Sequence, residues 1–102
     1  MADTESKQLT LLKVDLGLMR PSDNQLTYLS SLLEMAASAI KREGITLQAE
    51  NLEDDMLVEM YAAWLYRKRA NDGNTSFAVG MPRMLRYQLN NKLITQKMQV
   101  TE

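Results

Sequence analysis

Five carboxylates crowd one stretch of this chain: Glu50, Glu53, Asp54, Asp55 and Glu59. Oxygens gathered this closely could in principle hold a divalent cation. Their spacing argues against it, because the alternating Asp/Asn ligands, central Gly and closing Glu of a calcium loop are missing. The same acids suit the opening turns of a helix, where negative charge complements the helix dipole, and no metal is expected. Tyr28, Tyr61, Tyr66 and Tyr87, with serines and lysines, are the remaining groups able to do acid–base or nucleophilic work. The chain has no His and no Cys. That removes the thiolate nucleophile, the Cys/His zinc site, the neutral-pH imidazole base and every familiar triad. A Ser–Lys pair is left open, and no spacing recommends one. Gly17, Gly44, Gly73 and Gly80 are isolated, so no glycine-rich loop cradles a phosphate. The expectation is a protein that is not an enzyme, with no cofactor and no small-molecule substrate.

Charge is the stronger signal. Residues 66–97 carry seven basic side chains (Arg67, Lys68, Arg69, Arg83, Arg86, Lys92 and Lys97) against Asp72, while residues 1–65 carry five basic and eleven acidic ones. The whole chain sums to −1. A molecule divided in this way can steer an oppositely charged partner or pair end to end with its own copies. Contacts to DNA phosphates are also compatible, as is the plain reading of a solvated helix and a dipole-matched helix end. The segment "MYAAWLYRKR", residues 60–69, concentrates the question. Its apolar part is far shorter than the roughly 20 residues that cross a bilayer, so no membrane role is expected. The polar start "MADTESKQLT" lacks the charged and apolar regions of a signal peptide.

The elements that must position these residues are helical throughout. A length of 102 residues suits one domain with one core. Residues 1–5 read as a disordered tail, and a single domain is expected over 6–97, with 98–102 a second tail. The first helix is predicted from the N-cap Ser6 to the stop Gly17, with Leu9, Leu12 and Leu16 on one face. In the second, Ser22 and Gln25 fit a capping box. Leu26, Leu29, Leu33, Ala36, Ala37 and Ile40 recur at helical spacing, and Gly44 supplies a left-handed stop. Small residues at 36, 37 and 39 would let another helix approach closely.

The third helix is predicted from about Asn51 to Ala70, acidic at its start and basic at its end. Met56, Leu57, Met60, Tyr61 and Trp64 share a broad face, with Val58, Ala62 and Leu65 covering much of the rest. A helix apolar over most of its circumference sits centrally. The predicted core is Leu29, Leu33, Ile40, Leu57, Met60, Tyr61 and Trp64. Asp72, Gly73, Asn74 and Gly80 then mark a flexible loop. Pro82 fits the first position of a fourth helix reaching about Lys97. In it Leu85, Leu89 and Leu93 form one stripe, while Met84, Tyr87 and Ile94 lie on a different side. Met81 and Met84 are candidates for an interface, since methionines make adaptable surfaces. The fold class is therefore all-α, a compact bundle of about four helices with a flexible loop before the last.

The order of these features carries a resemblance. A short helix with "LLKVDLGL" leads into "SDNQLTYLSSLLEMAASAIKREGI"; the central "MLVEMYAAWLYRKR" follows, then a polar loop and "MPRMLRYQLNNKL". From about Leu9 to Leu93 this resembles the small head–tail connector proteins of tailed bacteriophages and prophages, the head-completion or DNA-packaging adaptors. The resemblance implies a ring of identical subunits in the virion neck, assembled in the bacterial host cytoplasm. Such a ring binds the portal, extends the DNA channel so that DNA only passes through, and docks tail or stopper proteins. It further implies that the fourth helix reaches the portal or a neighbouring subunit, with Arg83, Met84, Arg86, Tyr87 and Ile94 as contacts. It also implies that residues 71–81 order on assembly.

Two other classes compete. A small helical DNA-binding regulator of a prophage would need two helices joined by a turn of roughly three to four residues and a polar reading helix. The long break before Pro82 and the apolar third helix fit this poorly. A helical chaperone or antitoxin, gripping one partner through an exposed apolar stripe, is the third class.

Overall fold

The computed structural model describes residues 6–70 and 81–100. These form four helices, α1 (Lys7–Leu16), α2 (Asp23–Arg42), α3 (Leu52–Ala70) and α4 (Arg83–Val100), with no strand among the described residues. The protein is a compact all-α bundle. The expected flexible loop, with Asp72, Gly73, Asn74 and Gly80, lies outside the described residues, as does the tail 1–5. At the other end α4 runs to Val100, so Met98 belongs to the helix and not to a tail.

Local chemistry sets the helix ends. The Ser6 hydroxyl accepts from the Leu9 N–H at 3.1 Å, and Gly17 closes α1 with φ 74°. Ser22 Oγ accepts from the Gln25 N–H at 3.2 Å while Gln25 Oε1 accepts from the Ser22 N–H at 2.8 Å, completing the capping box. Gly44 follows α2 with φ 102°. Asn51 caps α3: its Oδ1 accepts from the Asp54 N–H at 3.0 Å and its carbonyl from the Asp55 N–H at 2.9 Å. Pro82 lies one residue before α4, where its carbonyl accepts from the Arg86 N–H at 3.1 Å.

Helix α3 is central, packed by α1, α2 and α4. The expected apolar face of α2 forms the core from one side, with Leu29, Leu33, Ala36 and Ile40 buried and Leu32 added to them. On α3 the centre is made by Leu57, Val58, Ala62 and Ala63. Met60, Tyr61 and Trp64 are only half-buried and pack around that centre, and Met56 is exposed. The reason is size: where helices approach most closely, the small side chains of α3 face inward and the large ones are displaced to the flanks. There Tyr61 and Trp64 meet edge to face at 5.4 Å, and Lys68 lies 5.1 Å from the Trp64 ring centroid.

Helix α4 docks through Leu85 and Leu89, both buried, and the half-buried Leu93. Three polar anchors flank this stripe. Arg86 grips the Glu43 carboxylate with two bonds of 2.9 and 3.1 Å. Gln96 pairs with both backbone groups of Thr46, each at 2.9 Å. Lys92 meets the buried Asp54 at 2.7 Å.

Two stability measurements check this account. Replacing Lys92 by Met leaves a buried carboxylate without its cation, a loss expected at about 3–5 kcal/mol in urea unfolding. Gly17→Ala should cost about 1 kcal/mol for its left-handed backbone. Gly44→Ala should cost more, because a Cβ there also stands 3.3 Å from Leu93 Cδ1. Equal losses at the two glycines would contradict the packing of α4 on the α2 terminus.

Candidate interaction surface

The side of α4 turned away from the core is apolar. Met84 is 63% exposed, Tyr87 62%, Ile94 55% and Met98 68%. With Asn91 they follow a 3-4-3-4 spacing, which places all five within one narrow sector of a helix turning about 100° per residue. That sector lies opposite Leu89. Helix α4 thus has two stripes, one docked and one facing outward. Its only charges are cationic (Arg83, Arg86, Lys92 and Lys97), since residues 83–100 contain no Asp or Glu. Arg83 and Lys97 are exposed on one flank of the outward stripe.

Of the expected contacts, Arg83, Met84, Tyr87 and Ile94 are on the surface, whereas Arg86 is committed within the molecule. Its guanidinium faces Glu43, and this hydrogen-bonded pairing further stabilises its protonated form. Arg86 therefore anchors α4. Met81 packs against the core, which leaves Met84 as the surface methionine of that pair. Met98 and Asn91 extend the stripe formed by Met84, Tyr87 and Ile94, and the continuing 3-4 spacing marks both in the sequence.

Beside the stripe an open groove of about 560 Å³ separates the start of α3 from α4. Met56, Leu57 and Met60 form its α3 wall, while Gln88, Asn91 and Thr95 line the α4 side. Glu53 stands at its rim with a side chain 84% exposed. The acids of the α3 start thus divide by depth. Asp54 is buried, with Oδ2 accepting from the Gln48 N–H at 2.8 Å and Oδ1 paired with Lys92; Glu53 reaches solvent, 3.8 Å from the same ammonium. Among the described residues, no cluster of acids has the arrangement of a metal site, and no described helix is long and apolar enough to cross a membrane.

A second polar cluster lies between α1 and α3. Glu59, on α3, is buried and faces Asp15 of α1. Desolvation pushes the Glu59 carboxyl up to about 8, and the hydrogen bond and charge of Asp15 add to the shift. The hydrogen bond from Glu59 holds Asp15 below its ordinary value, with the Arg67 guanidinium assisting. Arg67 also binds Asp15 Oδ1 at 3.0 Å and the Asp15 carbonyl at 3.2 Å. The first basic residue of "RKR" thus ties α3 to α1, and Lys68 covers Trp64. The Arg67–Asp15 pair thus joins α3 to α1, with the buried Glu59 carboxyl facing the same aspartate. Nothing in the sequence distance between residues 15 and 59 announced it.

The sign of the pH effect follows from the Glu59 proton. Between the unfolded value near 4.5 and the folded value near 8 the folded state binds more proton on Glu59, so stability falls as pH rises through this window. The Asp15 contribution, from a lowered carboxyl, is lost only as the pH falls below its ordinary 3.8. Glu59→Gln, which keeps a donor toward Asp15 without a titrating proton, is expected to flatten the decline of Tm between roughly pH 6 and pH 9, a range that brackets the folded value of about 8. A decline as steep as in the parent chain would show that Glu59 does not carry the effect.

Compared with family models, curated proteins and solved structures, the chain finds no match in any of the three.

Proposed function

We propose that this chain is a structural adaptor of the tailed-phage or prophage neck. Its copies form a ring that binds the portal, extends the DNA channel and docks tail or stopper proteins. The observation that carries this reading is the outward stripe of α4. Four large apolar side chains, at 84, 87, 94 and 98, are more than half exposed on a helix whose other face is already buried. An apolar helix face of this kind fits recognition by another protein surface. Its basic flank favours a partner with acidic groups.

A ring of identical subunits joins one patch to a different patch on the next copy. The chain offers such unlike patches in the basic α4 and the acidic start of α3. Transient DNA passage needs no base-reading element. The regulator reading loses support because Arg67 and Lys68 are engaged within the molecule. In addition, none of the consecutive helices is joined by a turn as short as roughly three to four residues. The role is that of a scaffold, in the virion neck and, during assembly, in the host cytoplasm.

The test is sedimentation over a concentration series, with a pull-down by a phage portal. The parent chain should form oligomers and bind the portal. Ile94→Glu should abolish both while changing unfolding free energy by no more than about 0.5 kcal/mol, as for other exposed sites. A parent chain that is monomeric at every concentration and ignores the portal would sink this function.

A further inference from the structure

The groove between the start of α3 and α4 has the anchors Lys92 and Gln96 among its lining, while Met56, Gln88, Asn91 and Thr95 take no part in those anchors. Its apolar wall has the buried Leu57 at its base and Met56 and Met60 beside it, the two methionines able to remould around an incoming helix. Its rim carries a negative charge that the molecule does not neutralise well. Glu53 lies 3.8 Å from Lys92, but that ammonium is already 2.7 Å from the buried Asp54. The Glu53 carboxylate, 84% exposed, therefore retains most of its charge for an outside cation.

The outward stripe of α4 has the opposite character. It presents Met84, Tyr87, Ile94 and Met98 with Arg83 and Lys97 along one flank and no acid anywhere on the helix. It cannot enter the groove of its own molecule, because α4 is itself one wall of that groove. Pairing of two such stripes would bring like flanks together with no carboxylate to answer them. We infer that the α4 stripe of one copy seats in the α3–α4 groove of a second copy, with Arg83 or Lys97 facing Glu53. This rests on the ring reading above and names its interface. Because stripe and groove are different patches, each copy of a joined pair keeps one patch free for a further neighbour, the condition for a ring or an open helix.

The absence of native cysteine makes a direct test possible. Two variants, Met56→Cys in the groove and Ile94→Cys on the stripe, are mixed and treated with a short bis-maleimide, one chain carrying a mass tag. The expected product is the mixed dimer, several-fold more abundant than either self-linked species. Tyr87→Cys serves as a second stripe position should Ile94→Cys weaken association. Predominant Ile94→Cys self-linkage would overturn the inference in favour of stripe-to-stripe pairing. Concentration-dependent oligomers in sedimentation with no mixed product at either stripe position would overturn the groove assignment and leave the ring reading standing. A chain monomeric throughout would overturn both. A charge exchange gives an independent arm. Glu53→Lys should weaken association on the order of ten-fold, a scale set by a partly desolvated ion pair. Adding Arg83→Glu and Lys97→Glu to the same chain should restore most of it.

Discussion

Much of the architecture hangs on one buried carboxylate. Asp54 sits almost wholly out of water, where an unpaired charge would cost several kcal/mol. It is tolerated because two other segments meet the carboxylate: Gln48 donates its N–H from the connector, and Lys92 reaches across from α4. The pair therefore fixes more than an energy. It sets where α4 lies on α3 and how that helix is rotated, with Arg86–Glu43 and Gln96–Thr46 holding either side. Once the rotation is set, Leu85 and Leu89 must face inward and the opposite sector must face out.

That rotation links packing to the proposed role. An amphipathic helix with one apolar stripe is fully used when it docks. Helix α4 has two, and the second is left on the surface beside a methionine-lined groove. The central α3 behaves differently, since α1, α2 and α4 all pack on it and only its start, with Glu53 and Met56, is left open beside the groove. The Arg67–Asp15–Glu59 cluster belongs to the same economy of contacts: it spends the basic end of α3 on joining α1, and the proton kept on Glu59 makes that joint sensitive to pH.

Local signals in the chain were strong, and the caps show how strong. Ser6, Ser22 with Gln25, Gly17 and Gly44 act within a few residues of sequence, so their chemistry could be read directly and was found in place. The same is true of the two stripes of α4, which are a matter of period. Met60, Tyr61 and Trp64 were harder to place, because on a helix apolar nearly all round periodicity cannot say which sector is deepest. Their half-burial follows from the close approach that Ala62 and Ala63 permit. Arg86 is claimed by Glu43, the C-cap of α2, a pairing that helical period on α4 does not disclose.

The sequence by itself determined the number and type of the helices, their ends apart from the C-terminus of α4, the division of charge along the chain and the existence of a second apolar face on α4. These depend on interactions between near neighbours and on helical period. Tertiary structure alone decided which charges were consumed internally, that Asp54 and Glu59 were buried while Glu53 reached solvent, and that a groove opened beside the α4 stripe. Those outcomes depend on how helices rotate against one another. A carboxylate at one position and its cation about forty to fifty residues away meet only after that rotation has been set.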